Sequence, residues 1–123
     1  MGQHKVAKDT RREQRLPARL QIELTVEDGE QSEVGNTINI SANGVYFKSR
    51  RYLAPLTVLG LRILLSGEHG RGRPERLDVR GVVVRIEPEE EQADVPSYEV
   101  ACFFMDTTPE FRERLGHYVQ SNL

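Results

Sequence analysis

Alternation of apolar and polar positions governs the chain from Arg19 onward. Leu20, Ile22, Leu24 and Val26 fall on one side of an extended backbone, and Arg19, Gln21, Glu23 and Thr25 on the other. This is the pattern of a half-buried strand, and Asp28-Gly29 follows as its turn signal. β-Branched alternation resumes from Val34 to Ile40, and strand character again from Val45 to Lys48, with Ser41 to Gly44 between them too short for anything but a tight turn. Leu59 to Ser66 and Leu77 to Glu87 flank a Gly- and Arg-rich connection, Gly67 to Arg76, and read as a second hairpin, and Tyr98 to Met105 reads as a last strand. About six strands imply a closed or nearly closed barrel.

The period then changes. Thr107 or Thr108 can cap a helix with Pro109 in its first turn, and Phe111, Leu115, Tyr118, Val119 and Leu123 share one face at a spacing near 3.6. A C-terminal helix over about 108–121 is predicted, its apolar stripe covering or plugging the barrel or in part docking a partner protein. Residues 1–16 are polar and aperiodic, which predicts a flexible N-terminal arm, and Pro17 sits where the barrel of 17–123 would begin. The aromatics Tyr46, Phe47, Phe103 and Phe104 read as strand core.

Composition narrows the function. A length of 123 residues suits one domain that folds without staples. The single Cys102 forms no internal bridge and reads as a small core residue, and Cys and His are not clustered at zinc-ligand spacing. No apolar run has the length of a membrane span and no secretory signal opens the chain, so a cytoplasmic protein without membrane insertion or cofactor is expected. Net charge is −2, which gives no general attraction for nucleic acid. Charge is instead local: Lys5, Lys8, Arg11, Arg12, Arg15 and Arg19 make the arm basic, and Glu87, Glu89, Glu90, Glu91 and Asp94 form an acidic, solvated turn. His4, His69 and His117 have no patterned Ser, Cys or Asp partner, and no catalytic motif occurs, so the chain does not read as an enzyme.

Two short patterns remain: Arg11-Arg12-Glu13-Gln14-Arg15, and Asn39-Ile40-Ser41-Ala42-Asn43-Gly44. R-x-x-x-R occurs three times among 14 arginines and identifies nothing by itself. N-x-S-x-x-G is more selective, since composition alone predicts on the order of 0.02 occurrences in such a chain. It occurs once, in a turn between strands. The stretch R-R-E-Q-R-L-P-A-R-L-Q-I-E-L, from Arg11 to Leu24, resembles the entry to a PilZ domain, and Asn39, Ser41 and Gly44 resemble that family's second motif, [D/N]-x-S-x-x-G. Gly44 to Phe47, Gly81 to Arg85 and Tyr98 to Phe104 resemble later strands of the family, so the likeness extends over nearly the whole chain.

The resemblance implies a six-stranded antiparallel PilZ-type β-barrel with a C-terminal helix that binds the bacterial second messenger cyclic di-GMP. Its register selects Arg11 and Arg15 as ligand-binding arginines, because Arg15 is followed directly by Leu16-Pro17 and the strand, and leaves Arg19 outward. A planar guanidinium can pair with phosphate oxygens or with guanine O6 and N7. Asn39 can accept from guanine N–H groups, Ser41 can bond a phosphate or the ligand's edge, and Gly44 can take φ > 0 with no side chain in the way. Arg12, beside Arg11, and Arg85, sharing a face with Gly81 and Val83 if its strand is regular, are secondary candidates. Ordering of the arm by the ligand would then signal to an unidentified downstream protein. Two other classes remain open: a PilZ-like adaptor that binds no nucleotide and acts by protein contacts, and a small barrel for single-stranded nucleic acid, which the near-balanced charge disfavours.

Overall fold

Six antiparallel strands, β1 (Gln21–Val26), β2 (Ser32–Ile40), β3 (Gly44–Ser49), β4 (Val58–Leu65), β5 (Glu75–Glu87) and β6 (Tyr98–Met105), precede one helix, α1 (Pro109–Ser121). The strands close into a barrel in the order β1-β2-β3-β6-β5-β4. This computed structural model describes residues 14–26, 32–65 and 73–123. Arg11, Arg12, the Asp28-Gly29 turn, His4, His69 and most of the Gly67 to Arg76 connection lie outside the described residues.

The barrel follows from the alternation. Ile22 and Leu24 of β1, Val45 and Phe47 of β3, Leu59, Leu61, Ile63 and Leu65 of β4, and Val100 and Cys102 of β6 all point inward and are buried. Closure pairs each of the six described strands on both sides, so none of them is an open edge strand. Burial pushes the Cys102 thiol up to about 12, so it is a small core group and not a nucleophile.

The chain joins the barrel one residue before the boundary drawn from sequence. Leu16, placed in the arm above, is buried and exchanges two backbone hydrogen bonds with Ile40, Leu16 N–H to Ile40 O at 2.7 Å and Ile40 N–H to Leu16 O at 3.0 Å. Pro17 has no N–H to continue that pairing. The regular ladder resumes only at Gln21, and between the two the buried Thr37 hydroxyl ties the chain down, donating to Ala18 O at 2.5 Å and accepting from Leu20 N–H at 2.9 Å.

Two strands depart from strict alternation. β2 carries an extra residue between Thr37 and Asn39, and β5 one between Val83 and Arg85. Thr37 and Ile40 therefore both face inward with Asn39 turned out, and Val83 and Ile86 both face inward with Arg85 turned out. The expectation that Arg85 shares a face with Gly81 and Val83 is corrected by this bulge: Gly81 and Val83 are buried and Arg85 is exposed.

At the end of the sheet Asp106 adopts φ 52°, and Thr108 caps the helix, its hydroxyl accepting from Phe111 N–H at 3.0 Å with Pro109 following at the first helical position. Phe111, Leu115 and Val119 join the barrel residues in one core, and Phe111 meets Phe104 edge to face at 5.3 Å. Leu123 does not belong to this stripe. The helix ends at Ser121, and Leu123 beyond it is 59% exposed. Thr108→Ala should cost about 1 kcal/mol in urea unfolding by removing the cap, whereas Thr107→Ala, which loses only one exposed side-chain bond from Arg112, should stay within about 0.5 kcal/mol.

Candidate functional site

The two bulges lie at opposite ends of one row across the outer wall. Asn39 of β2 pairs with Tyr46 of β3, Tyr46 with Ala101 of β6, and Ala101 with Arg85 of β5. Each bulge re-aims one polar side chain, Asn39 or Arg85, from the interior to the surface, a common use of bulges beside functional sites. Tyr46, taken above as core, is half-buried on this outer row. Its hydroxyl donates to Glu99 Oε1 at 2.9 Å. Burial, then the Glu99 carboxylate, raise its pKa, against a smaller opposing effect of Arg85.

The turn after Asn39 is built around one hydroxyl. Ser41 is buried; its Oγ accepts from the N–H groups of Asn43 at 3.2 Å and Gly44 at 3.3 Å and lies 3.4 Å from Gly44 O. Ser41 N–H donates to Gly44 O at 2.9 Å, and Asn43 O accepts from Phe104 N–H at 2.9 Å, which fastens the turn to β6. Ser41 therefore shapes the turn in this structure, and its hydroxyl is shut away from solvent. Gly44 has no left-handed φ. It is glycine because a Cβ there would stand 2.3 Å from the backbone oxygen of Cys102.

Arg15 converges on this turn from the arm. Its Nε donates to Asn39 Oδ1 at 2.6 Å and its Nη1 to Ser41 Oγ at 3.5 Å, across 24 and 26 residues of sequence. The residues on either side of it are also held: Gln14 Oε1 accepts from Gln120 Nε2 of α1 at 2.6 Å, and Leu16 pairs with Ile40. Among the sequence-derived candidates, Arg15, Asn39, Ser41 and Gly44 are thus brought together. Arg85 stands on the same row beyond Tyr46 and Ala101, with its Nε 3.9 Å from Glu87 Oε1.

This site is an open wall. A cleft of about 540 Å³ lies elsewhere, between Glu23, Arg62, Asp78, Arg80 and the start of α1. Its charged groups are occupied with each other, Arg62 with Glu23 at 3.4 Å and Asp78 at 3.1 Å, and Arg80 with Asp106 at 3.3 Å. No group of metal-ligating side chains is present among the described residues, and none of their helices is long and apolar enough to cross a membrane.

Sequence reasoning missed the outward placement of Phe103, which is 54% exposed. The signal was present: Val100 and Cys102 are core residues, so strict alternation sends Phe103 to the opposite face.

Solved structures share this architecture. Inhibitor of motility (MotI/DgrA) of Bacillus subtilis superposes with a TM-score of 0.69 at 18% identity, over 86% of this chain and 47% of that one. The PilZ domain of CeSA from a cellulose-synthesizing bacterium gives 0.60 at 19% identity, over 87% and 95%. MrkH of K. pneumonia in its complex with c-di-GMP gives 0.66 at 14% identity, over 89% and 49%. The chain spans about half the length of MotI and MrkH. No curated protein sequence matches it. The family model described as the PilZ domain matches residues 9–121, nearly the whole chain, and with the closed six-stranded barrel and its C-terminal helix this establishes that the chain belongs to the PilZ domain family.

Proposed function

We propose that this chain is a cyclic di-GMP receptor module, with the ligand held on the outer wall between the Arg15 end of the arm and the Asn39 to Gly44 turn. The observation that carries the reading is the meeting of Arg15 with Asn39 and Ser41. An exposed guanidinium is held by two side chains at the edge of a polar turn, and these two bonds use only part of its five N–H donors, leaving others for a phosphate or a guanine edge. Asn39 keeps a second lone pair on its amide oxygen, so it can hold Arg15 and accept one guanine N–H. Ser41 contributes by fixing the turn, and Gly44 by letting β3 approach β6. Arg11 completes the clamp from the arm, and Arg12 on the arm and Arg85 at the far end of the row are secondary sources of positive charge.

The same contacts suggest how binding is transmitted. Gln14 touches Gln120 on α1, so ordering of the arm over the ligand would act on the exposed face of the helix as well as on the barrel wall, and a downstream protein could read either surface. Calorimetric titration should show saturable heat with cyclic di-GMP and none with GTP. Absence of heat with cyclic di-GMP would favour an adaptor that works by protein contacts alone.

A further inference from the structure

Phe103 is the one phenylalanine among the described residues that stands more than half in water. Leaving such a ring exposed forgoes favourable apolar burial, so its surroundings matter. It projects from the outer wall directly opposite Gly44, and its Cδ1 would lie 3.3 Å from a Cβ built on that glycine. The hydrogen bond from Phe104 N–H to Asn43 O fixes the turn and this part of β6 relative to each other. Val82 of β5 stands on the ring's other flank. One step along the wall is Ala101, bracketed by Tyr46 and Arg85. Ala101 is small and half-buried, so the wall between Phe103, Tyr46 and Arg85 is a shallow floor bounded by one apolar ring, one phenol and one guanidinium.

We propose that Phe103 is a base-stacking residue of the ligand site: one purine of the cyclic dinucleotide lies against its ring while the phosphates meet Arg15. This rests on the cyclic di-GMP reading given above. The chemistry is complementary at each point. A purine face is flat and weakly hydrated, as an exposed phenyl ring is, and stacking hides both from water without requiring a hydrogen bond. The polar edge of the base is then left to Asn39 on one side and Arg85 on the other.

Two variants test this by independent signals. Phe103→Ala should weaken cyclic di-GMP binding roughly tenfold or more by calorimetry, as loss of one aromatic stacking partner does, with thermal unfolding unchanged because the ring is exposed. Phe103→Trp should keep the affinity. The natural chain contains no tryptophan, so the new indole is the sole one, and its emission should fall as cyclic di-GMP saturates the site and stay constant with GTP. Val34→Ala, which removes an equally exposed apolar side chain from β2, serves as the control and should bind as the unmodified protein does. Unmodified affinity in Phe103→Ala, or constant indole emission at saturation, overturns the stacking role while leaving the receptor reading intact. Absence of binding by the unmodified protein overturns both.

Discussion

On the receptor reading proposed above, Arg15→Ala should abolish or greatly weaken cyclic di-GMP binding while the barrel unfolds at the same urea concentration as before. Arg15 is exposed and its hydrogen bonds among the described residues are those to Asn39 and Ser41, so the substitution removes no buried side chain from the core. The pairing that anchors the chain nearby, between Leu16 and Ile40, is made by backbone atoms and survives. Exposed polar substitutions of this kind usually move stability by less than about 0.5 kcal/mol. Binding should be affected far more. A hydrogen bond to a charged group contributes about 1.5–3 kcal/mol, and loss of even one paired set corresponds to about a hundredfold in affinity. Arg15→Lys separates charge from geometry: an ammonium keeps the attraction but not the planar fork, so an intermediate loss is expected. Calorimetry and urea melts on the three proteins decide the matter, and undiminished binding by Arg15→Ala would remove Arg15 from the site.

Most of the architecture was legible because it depends on periodicity. The strand at Tyr98 to Met105, the change of period after it and the cap before Pro109 are all local signals, and the barrel follows from the number of strands that must bury one face. What escaped is what a single inserted residue can change. In Thr37-Ile38-Asn39-Ile40 and Val83-Val84-Arg85-Ile86, apolar and polar residues sit close enough that the pattern reads as an ordinary strand with or without a bulge. Only pairing with the neighbouring strand determines which residue is the extra one. Yet these bulges are what carry Asn39 and Arg85 to the outer wall. Leu16 escaped for a related reason: its place is set by a backbone exchange with Ile40, distant in sequence, and its only local trace is an apolar residue before Pro17. Tyr46 and Phe103 show the reverse error. Aromatic residues suit a strand on either face, so identity favoured the core while parity with Val45, Phe47, Val100 and Cys102 placed both outside.

Gly44→Ala has the largest expected effect on stability, for a reason different from the one its motif suggests. A glycine in a turn invites an explanation from positive φ, and for that reason alone alanine would bring backbone strain. Here φ is ordinary and the obstacle is proximity, since the added methyl would sit 2.3 Å from the Cys102 carbonyl oxygen. That oxygen belongs to the β3–β6 ladder, which runs in register from Gly44 and Phe103 to Ser49 and Tyr98, so it cannot swing aside as the tip of a side chain would. Relief requires the start of β3 to move away from β6, which strains the bond from Phe104 N–H to Asn43 O and the Ser41 turn together. Overpacking of this kind costs about 2–3 kcal/mol, or a fall in Tm of roughly 8–12 °C for a domain of this size. Cyclic di-GMP binding should weaken in the same protein, because Asn39 and Ser41 position Arg15 through that turn. Gly116→Ala provides the contrast. A Cβ at Gly116 meets nothing within 4 Å, and in a helix interior alanine is favoured over glycine by about 1 kcal/mol, so that variant should unfold at a higher temperature. One added methyl, placed at two glycines, should thus move Tm in opposite directions. Equal stability of the two variants would show that the approach of β3 to Cys102 is not what requires glycine at position 44.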